Sequence, residues 1–126
     1  MTGPKDLAPE ERLAFEKGVD EFNRGFYFEC HDTLEDIWTG LRGESRDFLQ
    51  GLIQVSVGFY HLSNGNLVGA ESLLERALKR FATYPERCYG FDLGAHRLEL
   101  REWLERVRAG GGEAGLPYPR WVFLPE

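Results

Sequence analysis

The sequence predicts an all-α fold of about five helices: two stacked antiparallel helical hairpins, a C-terminal helix and an extended aromatic tail. Two observations favour this fold. Apolar residues recur at spacings of three, four and seven along most of the 126 residues, as on the buried face of a helix. Glycine, asparagine and proline residues, which end helices, separate these stretches.

A weak internal repeat supports the two hairpins. Four pairs of identical residues lie forty positions apart: Gly18 and Gly58, Gly25 and Gly65, Leu34 and Leu74, Glu35 and Glu75. In both segments a helix ends in an Asn/Gly turn and a second helix follows. Such repetition is typical of stacked helical hairpins, and the outline resembles tetratricopeptide architecture.

The first hairpin is predicted from its helix signals. Pro9, Glu10 and Glu11 suit the first turn of a helix, which is expected to end near residues 23–25. The second helix begins around Phe26–Phe28. Its buried stripe consists of Cys30, Leu34, Ile37, Trp38 and Leu41, and Gly40 and Gly43 end it.

The second hairpin begins with a helix that Ser45 or Asp47 is expected to cap and that reaches about Leu62. Apolar residues surround almost its whole circumference, so this third helix is expected in the middle of the fold. Asn66 is a cap for the fourth helix, which ends at Tyr84-Pro85.

The C-terminal part contains a fifth helix from about Gly94 to Arg108, which Gly110-Gly111-Gly112 ends. Residues 117–123 then predict an extended aromatic strip packed on the bundle. Residues 88–92 are interpreted as a loop. Because Trp103, Trp121 and Phe123 offer more aromatic surface than a small bundle must bury, a homodimer is also predicted.

Composition and charge exclude several classes of protein. One domain spanning residues 1–126 is expected from the length, and 15 Lys plus Arg against 21 Asp plus Glu give a net charge of −6. An acidic surface argues against nucleic-acid and anionic-membrane partners. The 23 uncharged residues from Phe48 to Ala70 contain too many polar groups for a membrane span. The first residues resemble no secretory signal, so a cytoplasmic protein with reduced Cys30 and Cys88 is expected.

The third helix carries one polar stripe. Gln50, Gln54 and His61 lie within roughly 40° of each other at about 100° per residue, and Val57 falls on the same line. On the second helix, His31 and Glu35 are i, i+4 neighbours at the margin of the core, beside Trp38. Buried polar groups without partners cost about 1–3 kcal/mol each. We therefore expect a shared polar pocket between the second and third helices.

Three hypotheses fit such a pocket. The first is a hydrogen-bonded network that fixes helix register. The second is a site for Zn, Mn or Fe with His31, Glu35 and His61 as ligands. If the protein is an enzyme, this site suits metal-assisted hydrolysis, with Asp32 near a bound water. The third is a small-molecule or peptide cleft lined by Tyr27, Trp38 and Tyr60.

Several segments resemble the domain-of-unknown-function 309 family. They are residues 22–38 (FNRGFYFECHDTLEDIW), residues 48–54 (FLQGLIQ), and His61 followed by Gly65-Asn66 and Gly69-Ala70. The resemblance covers about residues 12–82, which leaves the C-terminal helix and tail at 93–126 outside it. It implies a small, all-helical, mostly prokaryotic protein and assigns no reaction. His31-Asp32 stands where the family commonly shows His-Glu.

The resemblance and the helical pattern favour the same polar positions. The predicted pocket residues are Glu29, His31, Asp32, Glu35, Trp38, Gln50, Gln54 and His61; Glu29 and Asp32 enter through the resemblance. No catalytic residue is assigned, and whether the protein is an enzyme is left open. A small helical binding or interaction module is the favoured interpretation, with a metal-binding protein or metal-dependent hydrolase as the alternative.

Overall fold

A computed structural model describes residues 3–111 and 115–124. Positions 1–2, 112–114 and 125–126 lie outside the described residues; they include Gly112 of the predicted helix break. The described part forms five helices and one short hairpin: α1 (Pro9–Asn23), α2 (Tyr27–Trp38), α3 (Gly43–Ser63), α4 (Leu67–Phe81), β1 (Arg87–Cys88), β2 (Phe91–Asp92) and α5 (Leu93–Arg108). The all-α prediction is confirmed.

The helices pack in chain order. α1 contacts α2, α2 contacts α3, α3 contacts α4 and α4 contacts α5. The start of α2 meets the end of α3 at Phe28 and Tyr60, and the end of α2 meets the start of α3 at Trp38 and Arg46, so these helices are antiparallel. α3 therefore lies between α2 and α4, and most of its residues are buried, as predicted. In the described part of the chain, no helix combines the length and hydropathy that crossing a bilayer requires.

The two helical hairpins repeat each other in geometry. Gly25 and Gly65 adopt φ values of +83° and +74° after α1 and α3, a conformation that glycine adopts without steric cost. In each turn the following residue donates its backbone N–H five positions back over 2.8 Å, Phe26 to Glu21 and Asn66 to His61. The predicted repeat is therefore a structural one.

The start of α3 differs from its prediction. The helix begins at Gly43, and neither Ser45 nor Asp47 caps it. Ser45 is buried and donates its hydroxyl to Asp6 Oδ2 over 2.7 Å, so its side chain anchors the N-terminal segment instead. The Asn66 prediction is confirmed, because its Oδ1 accepts the backbone N–H of Gly69 at 3.0 Å.

Residues 88–92 form a β-hairpin rather than an irregular loop. Cys88 pairs with Phe91 across the turn, and Tyr89 and Gly90 have φ values of 54° and 78°. Positive φ at both central residues is typical of a type I′ turn. Tyrosine is not a residue that marks a turn with positive φ. The sequence therefore does not predict this hairpin.

The tail packs on the bundle in extended form. The Trp121 ring stacks on Phe22 with centroids 3.8 Å apart, and its backbone exchanges two hydrogen bonds with the Asn23 side chain. Trp103 and Trp121 are fully buried within the chain. They offer no surface to a second copy, and Phe123 is half-buried against Phe15 and Phe91. The homodimer stays a prediction, with less exposed aromatic surface than expected.

Candidate functional site

The exposed edge of α3 follows the polar stripe. Between Phe48 and Leu62, solvent reaches Gln50, Val57, Tyr60 and His61, while the other residues of this stretch are buried. Because α2 and α4 pack on either side of α3, this edge lies between two neighbouring helices. A molecule that contacts the middle of α3, between Phe48 and Leu62, has to approach along this edge.

One end of this edge forms a small pocket. Phe28 and His31 of α2, together with Val57, Tyr60 and His61 of α3, line a cavity of about 130 Å³; we call it the aromatic–imidazole pocket. The ring centroids of Phe28 and Tyr60 lie 5.4 Å apart, and those of Phe28 and His31 lie 5.8 Å apart. Two histidines thirty positions apart in the chain thus share one cavity.

His31 is held by carboxylates of its own helix. Its Nε2 lies 2.7 Å from Glu35 Oε2, a hydrogen-bond distance at which Nε2–H donates. Its Nδ1 lies 3.4 Å from Asp32 Oδ1. Glu35 is one helical turn beyond His31, so the regular geometry of α2 brings the pair together. The pair orients the imidazole toward the pocket and occupies one ring nitrogen.

His61 is held by the cap of α4. Asn66 Oδ1 accepts the Gly69 N–H, so its amide nitrogen is the atom that lies 3.3 Å from His61 Nδ1. An amide NH₂ group only donates, and Nδ1 therefore accepts. The neutral His61 ring then carries its proton on Nε2. Gly69 makes this contact sterically possible, because a Cβ there would lie 2.8 Å from His61 Cγ.

Gln54 points to α4 instead of α2. Its Oε1 accepts the Nε–H of Arg80 at 3.3 Å, and Arg80 also contacts Asp47 at 3.3 Å. Gln50 makes no side-chain hydrogen bond within the described part of the chain. The two glutamines therefore do not join His31 and His61 in one network. A helical wheel gives the direction of a side chain but does not show which neighbouring helix lies there.

The remaining predicted residues lie outside the aromatic–imidazole pocket. Arg46 lies over the Trp38 ring at 3.8 Å from its centroid, at the far end of α2. Tyr27 is buried against Phe22, so of the predicted cleft residues Tyr60 alone lines the cavity. Glu29 is exposed on α2.

The three proposed metal ligands do not form a ligand set. Among residues 3–111 and 115–124, no group of three His, Cys, Asp or Glu side chains is close enough to hold a metal ion. Glu35 occupies Nε2 of His31, and Asn66 occupies Nδ1 of His61. The metal site and the hydrolase that depends on it stay predictions without geometric support.

Neither cysteine offers a reactive thiolate. Cys30 is buried in the core, as predicted, and burial raises the pKa of its thiol far above the usual range. Burial also raises the pKa of Cys88. Both thiols therefore stay protonated at neutral pH and are poor nucleophiles.

Two walls of the pocket, Phe28 and Val57, are not predicted from the sequence. The helical pattern places Phe28 at the start of the second helix and Val57 on the line of the polar stripe. Phe28, His31 and Glu35 follow a spacing of three and four, which places them on one face of α2. That spacing was the available signal for Phe28.

Comparison with known proteins confirms the family resemblance. Residues 15–73 match the family model described as a domain of unknown function, DUF309. The chain is also similar to the uncharacterized protein YpuF of Bacillus subtilis strain 168, with 35% identity over 82 residues, which are 64% of this chain and 46% of that protein. The chain thus spans about half the length of this curated relative. All five residues that line the aromatic–imidazole pocket fall within residues 15–73, the segment of this chain that is similar to the DUF309 domain.

Proposed function

We propose that this protein is a partner-binding module whose aromatic–imidazole pocket holds one apolar side chain of a protein segment. The observation that carries the proposal is the pair Phe28 and Tyr60. These rings are 46% and 37% exposed, come from adjacent helices and meet over one cavity. Exposed aromatic residues around a pocket are typical anchors of protein interfaces.

The size of the pocket favours a single side chain as its occupant. Its volume is about 130 Å³, and a cavity of about 150 Å³ holds a benzene ring. Sites that bury a drug-sized molecule have about 300–1,000 Å³. A leucine, methionine or phenylalanine side chain therefore fits better than a whole metabolite.

The charge beside the pocket favours a basic partner. α2 carries four carboxylates, Glu29, Asp32, Glu35 and Asp36, and contains no lysine or arginine. All four are exposed. Opposite charges across an interface accelerate association and exclude acidic partners. The expected segment has lysine or arginine next to its apolar anchor. The Nε2–H of neutral His61 is a donor for a backbone carbonyl of that segment.

Selection from a random peptide library tests this proposal. Display selection on the immobilised protein is expected to enrich peptides with a large apolar residue beside lysine or arginine. A synthetic copy of the most enriched peptide should bind Phe28→Ala at least about tenfold more weakly than the unchanged protein, because truncating an anchor residue costs 1.4 kcal/mol or more. Fluorescence polarisation gives the affinities.

Leu98→Ala is the matched control, because Leu98 is 64% exposed on α5 and does not line the pocket. Its affinity for the peptide should equal that of the unchanged protein. Enrichment of acidic peptides, or equal binding by Phe28→Ala and the unchanged protein, would contradict the proposal.

A further inference from the structure

A second cavity, shallow and largely open to solvent, lies between α3 and α4, toward the other end of the exposed edge. It has a volume of about 440 Å³ and is lined by Gln54, Arg76, Lys79 and Arg80. It shares no lining residue with the aromatic–imidazole pocket. Every lining side chain is a hydrogen-bond donor, three of them are cations, and none is a carboxylate. A cationic cavity is unexpected on a chain with a net charge of −6.

Gln54 is the buried polar group of this cavity. Its side chain is 8% exposed, and its Oε1 accepts from Arg80 Nε. Because a guanidinium group only donates, this contact fixes which end of the amide is oxygen. The amide nitrogen then has two hydrogens and no acceptor among the described residues, and solvent reaches it, because the described side-chain nitrogen that is buried without a partner is Trp38 Nε1. An acceptor supplied by a ligand would satisfy a donor that the fold leaves unused.

The two arginines of the cavity differ in how firmly the fold holds them. Arg80 is held between Gln54 and Asp47, so its guanidinium has little freedom left to lose on binding. Arg76 makes no hydrogen bond or ion pair within the described part of the chain. Two carboxylates lie nearby: Asp47, which contacts Arg80, and Glu75, which Lys79 and Arg108 share at 3.2 and 2.6 Å. The three cations of the cavity thus outnumber the carboxylates beside them.

We infer that this cavity binds a phosphate group carried by a small molecule. Guanidinium groups form paired hydrogen bonds with phosphate oxygens, and a tetrahedral oxyanion has enough acceptors for two arginines and the Gln54 amide together. This site is independent of the aromatic–imidazole pocket and of the protein partner proposed for it.

Titration with inorganic phosphate and with pyrophosphate, at constant ionic strength, tests the inference. The side-chain NH₂ signals of Gln54 in a nitrogen–proton NMR spectrum should shift and saturate, with pyrophosphate binding more tightly because it carries more charge and more acceptors. Arg76→Gln should weaken pyrophosphate binding at least fivefold and leave the melting temperature unchanged, since Arg76 is exposed.

Arg101→Gln is the matched control, because Arg101 is an exposed arginine on α5 that lies outside this cavity and has no ion pair within the described residues. It should bind pyrophosphate like the unchanged protein. Two results would overturn the inference: NMR shifts of Gln54 that rise without saturation, or pyrophosphate binding that weakens equally in both variants. Either result is explained by non-specific attraction between the anion and surface cations. Tighter binding of a hexaglutamate peptide than of pyrophosphate would also overturn it, in favour of an acidic protein partner.

Discussion

At the residue scale, neighbouring groups decide which nitrogen of two histidines carries the proton. Asn66 makes Nδ1 of His61 an acceptor. His96 is fully buried, and its Nε2 accepts the indole N–H of Trp121 at 3.3 Å. Its Nδ1 therefore carries the proton and faces Glu99 Oε1 at 3.3 Å. Burial lowers the pKa of His96, although Glu99 acts in the opposite direction.

The buried His96 predicts an acid-sensitive fold. Its pKa lies below the ordinary value of 6.5 in the folded state, so the unfolded chain binds the proton more readily. The free energy of unfolding contributed by His96 is thus fully present above pH 6.5 and is lost as the pH falls from there toward the folded pKa. Asp92 and Arg120 line the adjoining cavity and also contribute to the local charge.

Melting temperatures of the unchanged protein and of His96→Gln between pH 7.5 and pH 5 test this prediction. Glutamine can accept the Trp121 N–H but does not titrate. The unchanged protein should lose more stability over this range than His96→Gln, and the difference should develop below pH 6.5. Parallel profiles would show that another group is responsible.

At the element scale, glycines set how closely the helices approach α3. A Cβ on Gly51 would collide with the ring of Phe81 on α4, whereas a Cβ on Gly58 would lie 3.2 Å from a methyl carbon of Leu74. Phe81 is completely buried and cannot move aside without disturbing the core. Gly51 therefore permits a close crossing of α3 and α4.

Alanine substitutions at these glycines should differ in their effect. Gly51→Ala is expected to reduce the free energy of unfolding by about 1–3 kcal/mol, the usual cost of overpacking. Gly58→Ala is the control on the same helix and should stay within about 1 kcal/mol of the unchanged protein, because alanine favours helix by a similar amount. Urea unfolding measures both. Equal effects would contradict the close crossing.

The elements were predictable from local signals, and the contacts between them less so. Pro9 and Asn66 mark helix starts through short-range chemistry, and both predictions are confirmed. The direction of Gln54 was not predictable in the same way. Gln54 and His61 lie close together on the wheel, but α3 has a neighbour on each side: Gln54 bonds to Arg80 of α4, whereas His61 contacts the cap of α4 and also lines a cavity with residues of α2. The way in which the helices pack decides which neighbouring helix Gln54 contacts.

At the scale of the whole molecule, distant segments complete the fold. The Asn23 side chain and the Trp121 backbone form two hydrogen bonds across 98 positions. The prolines and aromatic residues at 117–123 predict an extended tail but not this pairing, because long-range partners leave no local signal. The tail covers the Phe22 side of the bundle, while Phe28 and Tyr60 stay exposed. This leaves the aromatic–imidazole pocket accessible to a partner.

A partner segment is proposed to bind at the pocket between Phe28 and Tyr60. The most direct test of this claim is an NMR map of backbone amide shifts during titration with the peptide selected from the library. The largest shifts are expected around Phe28, His31, Val57, Tyr60 and His61, with small shifts along α5. Largest shifts on α5 or on the hairpin of β1 and β2, with none at these five residues, would contradict the claim.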